Sequence, residues 1–250
     1  MKTSVEGDGK MLIGEIKEII RHPVKSFRGQ SVKRTIIESY GLYGDRSHAF
    51  QDASEPGKFL TATQLPPMLL YSAEFTDSEE SSKIPSPKIK SPFGKIYEWG
   101  DLGLQDELES LSGKKTSPIK YSSMVPLGAI EEEHLLLTTD ASLTRLEELW
   151  GEKVDHRRFR SNIHISLIDK IPYIEDTWFG KKLVLGEAEL EIKRHCERCT
   201  IIAMDPTNNS LDLTLLKTIV ETRNNYFGVY ASVLKKGAIQ TGDKIFLLDK

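Results

Sequence analysis

Short runs in which apolar and polar residues alternate fill most of this chain, and the wider spacing of an amphipathic helix is confined to a few segments. Between residues 12 and 21, Ile13, Ile16, Ile19 and Ile20 are interleaved with charges and Pro23 follows, which predicts a strand running into a loop at His22-Pro23-Val24-Lys25-Ser26. Further β-prone runs occupy residues 31–38 and 47–51, punctuated by Gly41, Gly44 and Gly57. Residues 78–93 are rich in Ser, Pro, Lys and Glu and predict an exposed, variable excursion. A short helix is expected over 101–112. Residues 114–133, with Pro118 and Pro126, read as a crossover between two halves, with the boundary near Tyr121.

The clearest helix covers 140–150. Thr139 or Asp140 can cap it, Leu143, Leu146, Leu149 and Trp150 make one apolar stripe, and Gly151 can end it. A basic segment, 153–160, leads to residues 162–168, where Ile163, Ile165 and Leu167 alternate with His164 and Ser166 as in a strand with one buried face. Residues 182–193 predict a hairpin, because the apolar parity shifts after Gly186. Asp205-Pro206-Thr207-Asn208-Asn209 is a turn, 213–223 a second helix, and 228–233 and 244–248 two closing strands. Many short strands and few helices predict a mainly β, α+β protein: a barrel with peripheral helices. The expected organisation is a flexible arm over 1–10, an N-terminal β-rich companion over 11–120 and the barrel domain over 121–250.

Composition narrows the function classes. With 38% hydrophobic and 28% charged residues among 250, the chain has neither the bias of a disordered segment nor a membrane span. Its 34 basic and 37 acidic residues leave a net charge of -3, which provides no global field for nucleic acid or an anionic membrane. Any anion site must be local. The cysteines are Cys196 and Cys199 alone, too few for a multi-bridge secreted framework, so a reducing cytoplasm is the expected location.

Cys196-Glu197-Arg198-Cys199 is the most chemical feature, and its spacing leaves several readings open: half a zinc site, a redox dithiol, one thiolate held for a soft metal, or an inert pair. The six histidines show no paired spacing that would complete a zinc site. Arg194, His195 and Arg198 flank the thiols with positive charge, the setting in which a thiolate is stabilised. A second cluster, His156-Arg157-Arg158-Phe159-Arg160 followed by Ser161 and Asn162, combines guanidinium and amide groups suited to a phosphate. Arg158, Arg160 and Asn162 would share a face if the strand extends back that far. Lys25 and Arg46 are isolated basic residues, each an ordinary surface charge when viewed singly. No Walker-type or dinucleotide-binding glycine loop occurs.

Taken in order, His-Pro-Val-Lys-Ser (22–26), Gly-Asp-Arg (44–46), Phe-Leu-Thr-Ala-Thr-Gln (59–64), Thr-Asp-Ala-Ser-Leu (139–143), Arg-Phe-Arg-Ser-Asn-Ile (158–163), Glu-Asp-Thr-Trp (175–178), Cys-Glu-Arg-Cys (196–199) and Asp205-Pro206 resemble the MOSC family with its N-terminal β-barrel companion, and within it the amidoxime-reducing branch. The resemblance runs from about Met11 to the C-terminus. It implies a molybdenum cofactor, a molybdopterin whose metal takes one protein thiolate, by position Cys199. Lys25, Arg46, Arg158, Arg160 and Asn162 fall on positions near the pterin and phosphate, and Thr139 and Ser142 on a helix-start segment, where a helix N-terminus suits an anion. The implied activity is reduction of N-hydroxylated compounds such as hydroxylamines and amidoximes. Its partners would be a small-molecule substrate and a separate reductase or ferredoxin-type protein, with no nucleic acid and no membrane. A cofactor carrier or sulfur-transfer protein is the alternative. The chain departs from the pattern at Thr63, where relatives usually carry Arg, at Ser161, where a proline is common, and at Thr207-Asn208, where Thr-Gly is usual.

Overall fold

A computed structural model of the chain describes residues 5–6, 9–55, 57–77, 79, 84–121 and 133–248. Seven strands close into a barrel: β1 (Lys10–Arg21), β2 (Leu135–Thr139), β3 (Ile163–Leu167), β4 (Lys182–Leu185), β5 (Ala188–Glu197), β6 (Tyr226–Lys235) and β7 (Lys244–Leu248). Around the ring the order is β1, β3, β2, β6, β5, β4 and β7, and β7 pairs back onto β1. Six of these pairings are antiparallel. Only β2 and β3 run parallel, and the helix α2 (Asp140–Trp150) makes the crossover that such a pair requires.

The barrel interior follows from strand parity. Leu135 and Leu137, Ile163, Ile165 and Leu167, Leu183 and Leu185, Leu190 and Ile192, and Ile245 and Leu247 all point into one buried cluster, which Trp178 joins. In β1 the inward residues are Ile13, Ile16 and Ile19, a spacing of three where a regular strand gives two. Two register shifts explain it. Opposite β3 the pairing jumps from Glu18 to Ile16, and opposite β7 from Gly14 to Leu12, so Lys17 and Ile13 are each an extra residue in the ladder. Such bulges bend a long strand enough to serve both partners of a closed ring.

The helices sit outside. α1 (Leu102–Ser112) buries Leu104 and Leu108 against Phe27, Phe50, Leu60 and Met68, and ends at Gly113 with φ of 70°. In α2, Thr139 Oγ1 accepts the Ser142 N–H at 3.2 Å, and Gly151 closes the helix at φ of 88°. α3 (Thr214–Arg223) packs with α2 through Leu146, Leu215 and Ile219. None of the helices among the described residues is long and apolar enough to cross a membrane.

Three sequence expectations are corrected. Residues 78–93 are not wholly an exposed excursion: Lys88–Lys90 forms the middle strand of a three-stranded sheet, and Ile84 and Ile89 are buried. The segment's polar composition hid a strand that buries only one side chain. Thr116–Lys120, read as crossover, pairs as a strand with His48–Asp52, while residues 122–132 lie outside the described set. Gly237–Gln240, read as connection, pairs with Arg34–Glu38. Of the expected arm over 1–10, Val5–Glu6 pairs with β1, and residues 1–4 and 7–8 lie outside the described set. The sheets also run across the division drawn near Tyr121. β1 belongs to the barrel, between β3 and β7, and a late strand completes an early sheet.

Candidate functional site

A cavity of about 530 Å³ opens where the loop after β1, the Gly44-Asp45-Arg46 turn, residues 61–63, the approach to β3 and the end of β5 meet. Four cationic side chains line it, Lys25, Arg46, Arg160 and Arg198, against two carboxylates, Glu133 and Glu197. The local field is therefore positive although the whole chain is slightly acidic.

The loops are tied together by guanidinium groups. Arg46 pairs with the buried Asp45 and donates to the Arg160 carbonyl at 3.3 Å. Arg160 donates to the Phe27 carbonyl at 2.9 Å, and Arg198 to the Phe159 carbonyl at 2.9 Å. A guanidinium has five donors, so these contacts orient each group and leave capacity for an anion. Among the described residues seven non-glycine positions have positive φ, and three line this cavity: Ser26 at 68°, Arg46 at 49° and Arg160 at 55°. That backbone region disfavours L-residues, and its concentration here marks a conformation held for the site by the surrounding contacts.

The two thiols differ sharply. Cys196, on β5, is 2% exposed, and its sulfur receives the Arg198 Nη1 donor at 2.7 Å. Both cysteines line the cavity, but Cys199, at the start of the short turn Thr200–Ala203, is the exposed one. Arg198, itself 7% exposed, has a buried Nε with no acceptor, a donor left for something in the cavity wall to satisfy. Among the described residues no group of three His, Cys, Asp or Glu side chains converges as a metal cage would require. The arrangement offers one exposed thiol in a basic cavity and, among the described residues, gives the zinc reading no further ligands.

The expected site residues separate into three groups. Lys25, Arg46, Arg160, Asn162 and Cys199 come together at the cavity. Arg158 does not: it is buried against the Asp205 carboxylate at 2.9 Å and the Ile202 carbonyl at 3.2 Å. The shared strand face expected for Arg158, Arg160 and Asn162 is absent, because Asp155 caps a 3-10 turn over His156–Phe159 and β3 starts only at Ile163. Thr139 and Ser142 are also elsewhere. Their hydroxyls donate to the buried Glu175 carboxyl, Ser142 at 2.6 Å and Thr139 at 3.2 Å, so the helix start is occupied from within the protein.

Asn162 lines the cavity but its amide is engaged. Oδ1 accepts the Leu136 N–H at 3.1 Å and Nδ2 donates to the Ile20 carbonyl at 3.3 Å, stitching β1 to β2 where β3 begins. Asn162→Ala is expected to lower stability by about 2 kcal/mol, since two buried backbone groups lose their partner. Chemical denaturation of the variant checks this, and an unchanged midpoint would show the amide to be dispensable for the fold.

Glu175 carries a pH signature. Burial pushes its carboxyl above the usual range, against the lowering effect of the Ser142 hydroxyl. A raised native pKa means that folding is most favoured by this group below the ordinary carboxylate range and loses that contribution as pH rises through the native value. Glu175→Gln should therefore gain stability relative to the native chain between pH 5 and 8, the roughly neutral window, with the difference shrinking toward pH 4. Thermal unfolding across that range reads it out, and a pH-independent difference would sink the assignment.

Sequence inspection missed several cavity residues: Ser26, Thr61, Glu133, Glu197, Tyr230 and the wall residues Leu136 and Phe159. Ser26, Thr61, Phe159 and Glu197 lie inside the motifs given above, where nothing in the residue type singles them out. Nothing local signals Tyr230, which arrives through the pairing of β6 with β5.

A closed β-barrel with one exposed thiol, Cys199, on the wall of a basic cavity is the class of structure this chain presents. Residues 116–246 match the MOSC domain model and residues 13–88 the MOSC N-terminal beta barrel domain, and the chain belongs to the MOSC family. It is similar to Mitochondrial amidoxime reducing component 2 of Macaca fascicularis, 24% identical over 289 residues that cover 94% of this chain and 83% of that protein. Mitochondrial amidoxime-reducing component 1 of Homo sapiens is 25% identical over 288 residues, with the same coverage of both chains. Molybdenum cofactor sulfurase of Caenorhabditis elegans is 33% identical over 106 residues, 40% of this chain and 14% of that protein. The crystal structure of the YUAD protein from Bacillus subtilis shares the fold, with a TM-score of 0.50, 11% identity, and coverage of 94% of this chain and 96% of that one.

Proposed function

We propose that the protein is a molybdenum-cofactor-dependent oxidoreductase that reduces N-hydroxylated compounds such as hydroxylamines and amidoximes, drawing electrons from a separate reductase or ferredoxin-type protein in the cytoplasm. The observation that carries this reading is the accessible Cys199 thiol on the wall of a cavity lined by Lys25, Arg46, Arg160 and Arg198. A molybdopterin is anionic and its metal takes a thiolate, and the donor set fits both needs, with the orphaned Arg198 Nε as an unmet donor. Cys199 would supply the metal ligand. Lys25, Arg46, Arg160 and Arg198 would hold the pterin and its phosphate. When bound, the cofactor supplies the two-electron chemistry of removing an oxygen atom from substrate. The chain's own contribution is to bind, orient and shield: Leu136, Phe159 and Tyr230 form the less polar part of the wall. Thr139, Ser142 and Arg158 take no part, because their polar groups are engaged within the fold. The names of the two amidoxime-reducing relatives support the substrate class.

The similarity to a molybdenum cofactor sulfurase favours a second reading, a carrier or sulfur-transfer role for the same cavity. Protein made in a cofactor-competent host separates the two. Stoichiometric molybdenum and pterin, with turnover of an amidoxime using an artificial electron donor, supports the reductase. Bound cofactor without turnover selects the carrier, and absence of both overturns the molybdenum reading.

A further inference from the structure

A second cavity, of about 190 Å³, adjoins the first and shares Arg160 and Ile201 with it. Its wall combines two chemistries. Leu69 and Met204, both buried, give an apolar floor, while Arg28, Arg157, Arg158 and the shared Arg160 present guanidinium groups. Glu18 is the carboxylate on this wall, and His156 Nε2 engages it at 2.7 Å. Gly29 lets the floor come this close to its neighbours: a Cβ there would collide with Ile20 and stand 2.7 Å from the His22 ring.

Most of the charge is already matched. Arg157 meets Asp155, and Arg158 meets Asp205. Arg28 is the exception. Its Nη2 donates to the Pro206 carbonyl at 3.1 Å, it meets no carboxylate among the described residues, and its Nε is buried without an acceptor. His22 adds no charge, because burial, with Arg160 and Arg46 nearby, holds its imidazole well below its ordinary range. Arg160 is turned to the Phe27 carbonyl and belongs to both cavities, whereas Arg28 belongs to this one alone, and a guanidinium without a carboxylate beside an apolar floor suits a ligand with an anionic head and an apolar body. Inorganic phosphate leaves the apolar floor uncovered, and an uncharged molecule leaves the Arg28 donor unmet.

We propose that this second cavity binds a small organic monocarboxylate, with the carboxylate on Arg28 and the apolar body against Leu69 and Met204. Cys199 does not line this cavity, but Arg160, which the proposed cofactor site also uses, lines both, so the test reads binding and not turnover. Calorimetric titration of the full-length protein at fixed ionic strength with benzoate, benzyl alcohol and inorganic phosphate tests it, in the native chain and in Arg28→Met and Arg28→Lys. Benzoate should bind saturably, and benzyl alcohol at least about tenfold more weakly. Arg28→Met should weaken benzoate by about tenfold or more, the worth of a charge-assisted hydrogen bond, and Arg28→Lys should restore part of the loss. Undiminished benzoate binding in Arg28→Met would place the ligand elsewhere, in the first cavity or on the surface, and overturn the proposal. Phosphate binding tighter than benzoate would overturn it too, as would the absence of saturable heat. Should Arg28→Met not fold, the native chain still decides: equal affinity for benzoate and benzyl alcohol refutes the charge argument.

Discussion

Cys199→Ala is expected to abolish reduction of N-hydroxylated compounds and to strip the protein of molybdenum, whereas Cys196→Ala should keep measurable activity and most of its metal. The asymmetry rests on position. Cys199 is exposed at the cavity, while Cys196 is buried on β5 with the Arg198 guanidinium against its sulfur. Loss of a group that only supports a metal ligand typically costs about 10–100-fold, and loss of the ligand itself costs the function. Cys196→Ala acts through Arg198, whose Nη1 loses its partner, so its effect should resemble that of Arg198→Lys in size. A control independent of any cofactor is alkylation of the native protein by iodoacetamide, where Cys199 should react and Cys196 should be protected until unfolding. Equal loss of activity from either cysteine change, with metal retained in neither, would transfer weight to a redox dithiol.

Gly14→Ala should destabilise the barrel by about 3 kcal/mol, toward the upper end for over-packing, because the atoms in the way are backbone. On β1, Gly14 faces Leu167 of β3 on one side and Ile245 of β7 on the other. A Cβ there would collide with the Ser166 carbonyl oxygen and stand 3.1 Å from its carbon and 3.2 Å from the Leu167 Cα. Side chains can rotate away from an intruder; a paired strand cannot do so without opening the ring. For a chain of this length the melting temperature should fall by roughly 6–12 °C. A native-like melting curve for Gly14→Ala would show that the ring has slack at Gly14.

Local structure was legible wherever a short-range rule suffices. The Thr139 cap, the stripe through Leu146 and the stop at Gly151 define α2 within its own residues, and the Gly186 hairpin announces itself by a change of parity. Thr116–Lys120 defeated the same rules because its partner, His48–Asp52, is remote in sequence, and the polar run before Ile89 did so because Lys88–Lys90, paired with Ser72–Glu74 and Ile96–Glu98, buries a single side chain. At the site, Cys199 and the basic candidates were visible as residue types. Their convergence was not. Arg160 leaves the expected strand face because of a left-handed backbone, and Thr139 and Ser142 are claimed by Glu175, 36 and 33 residues away.

The sequence by itself determined the class of fold, the family resemblance, the main helices and the identity of the two thiols, since each depends on periodicity, capping or an ordered set of motifs along the chain. Tertiary structure alone decided which thiol is accessible, which arginines face the cavity, and how an early strand with two bulges closes a late barrel. The physical reason is that burial, register and charge pairing are set by contacts between segments far apart in the chain. A guanidinium in a linear sequence carries the same five donors wherever it stands, and only the fold determines which of them already have a partner.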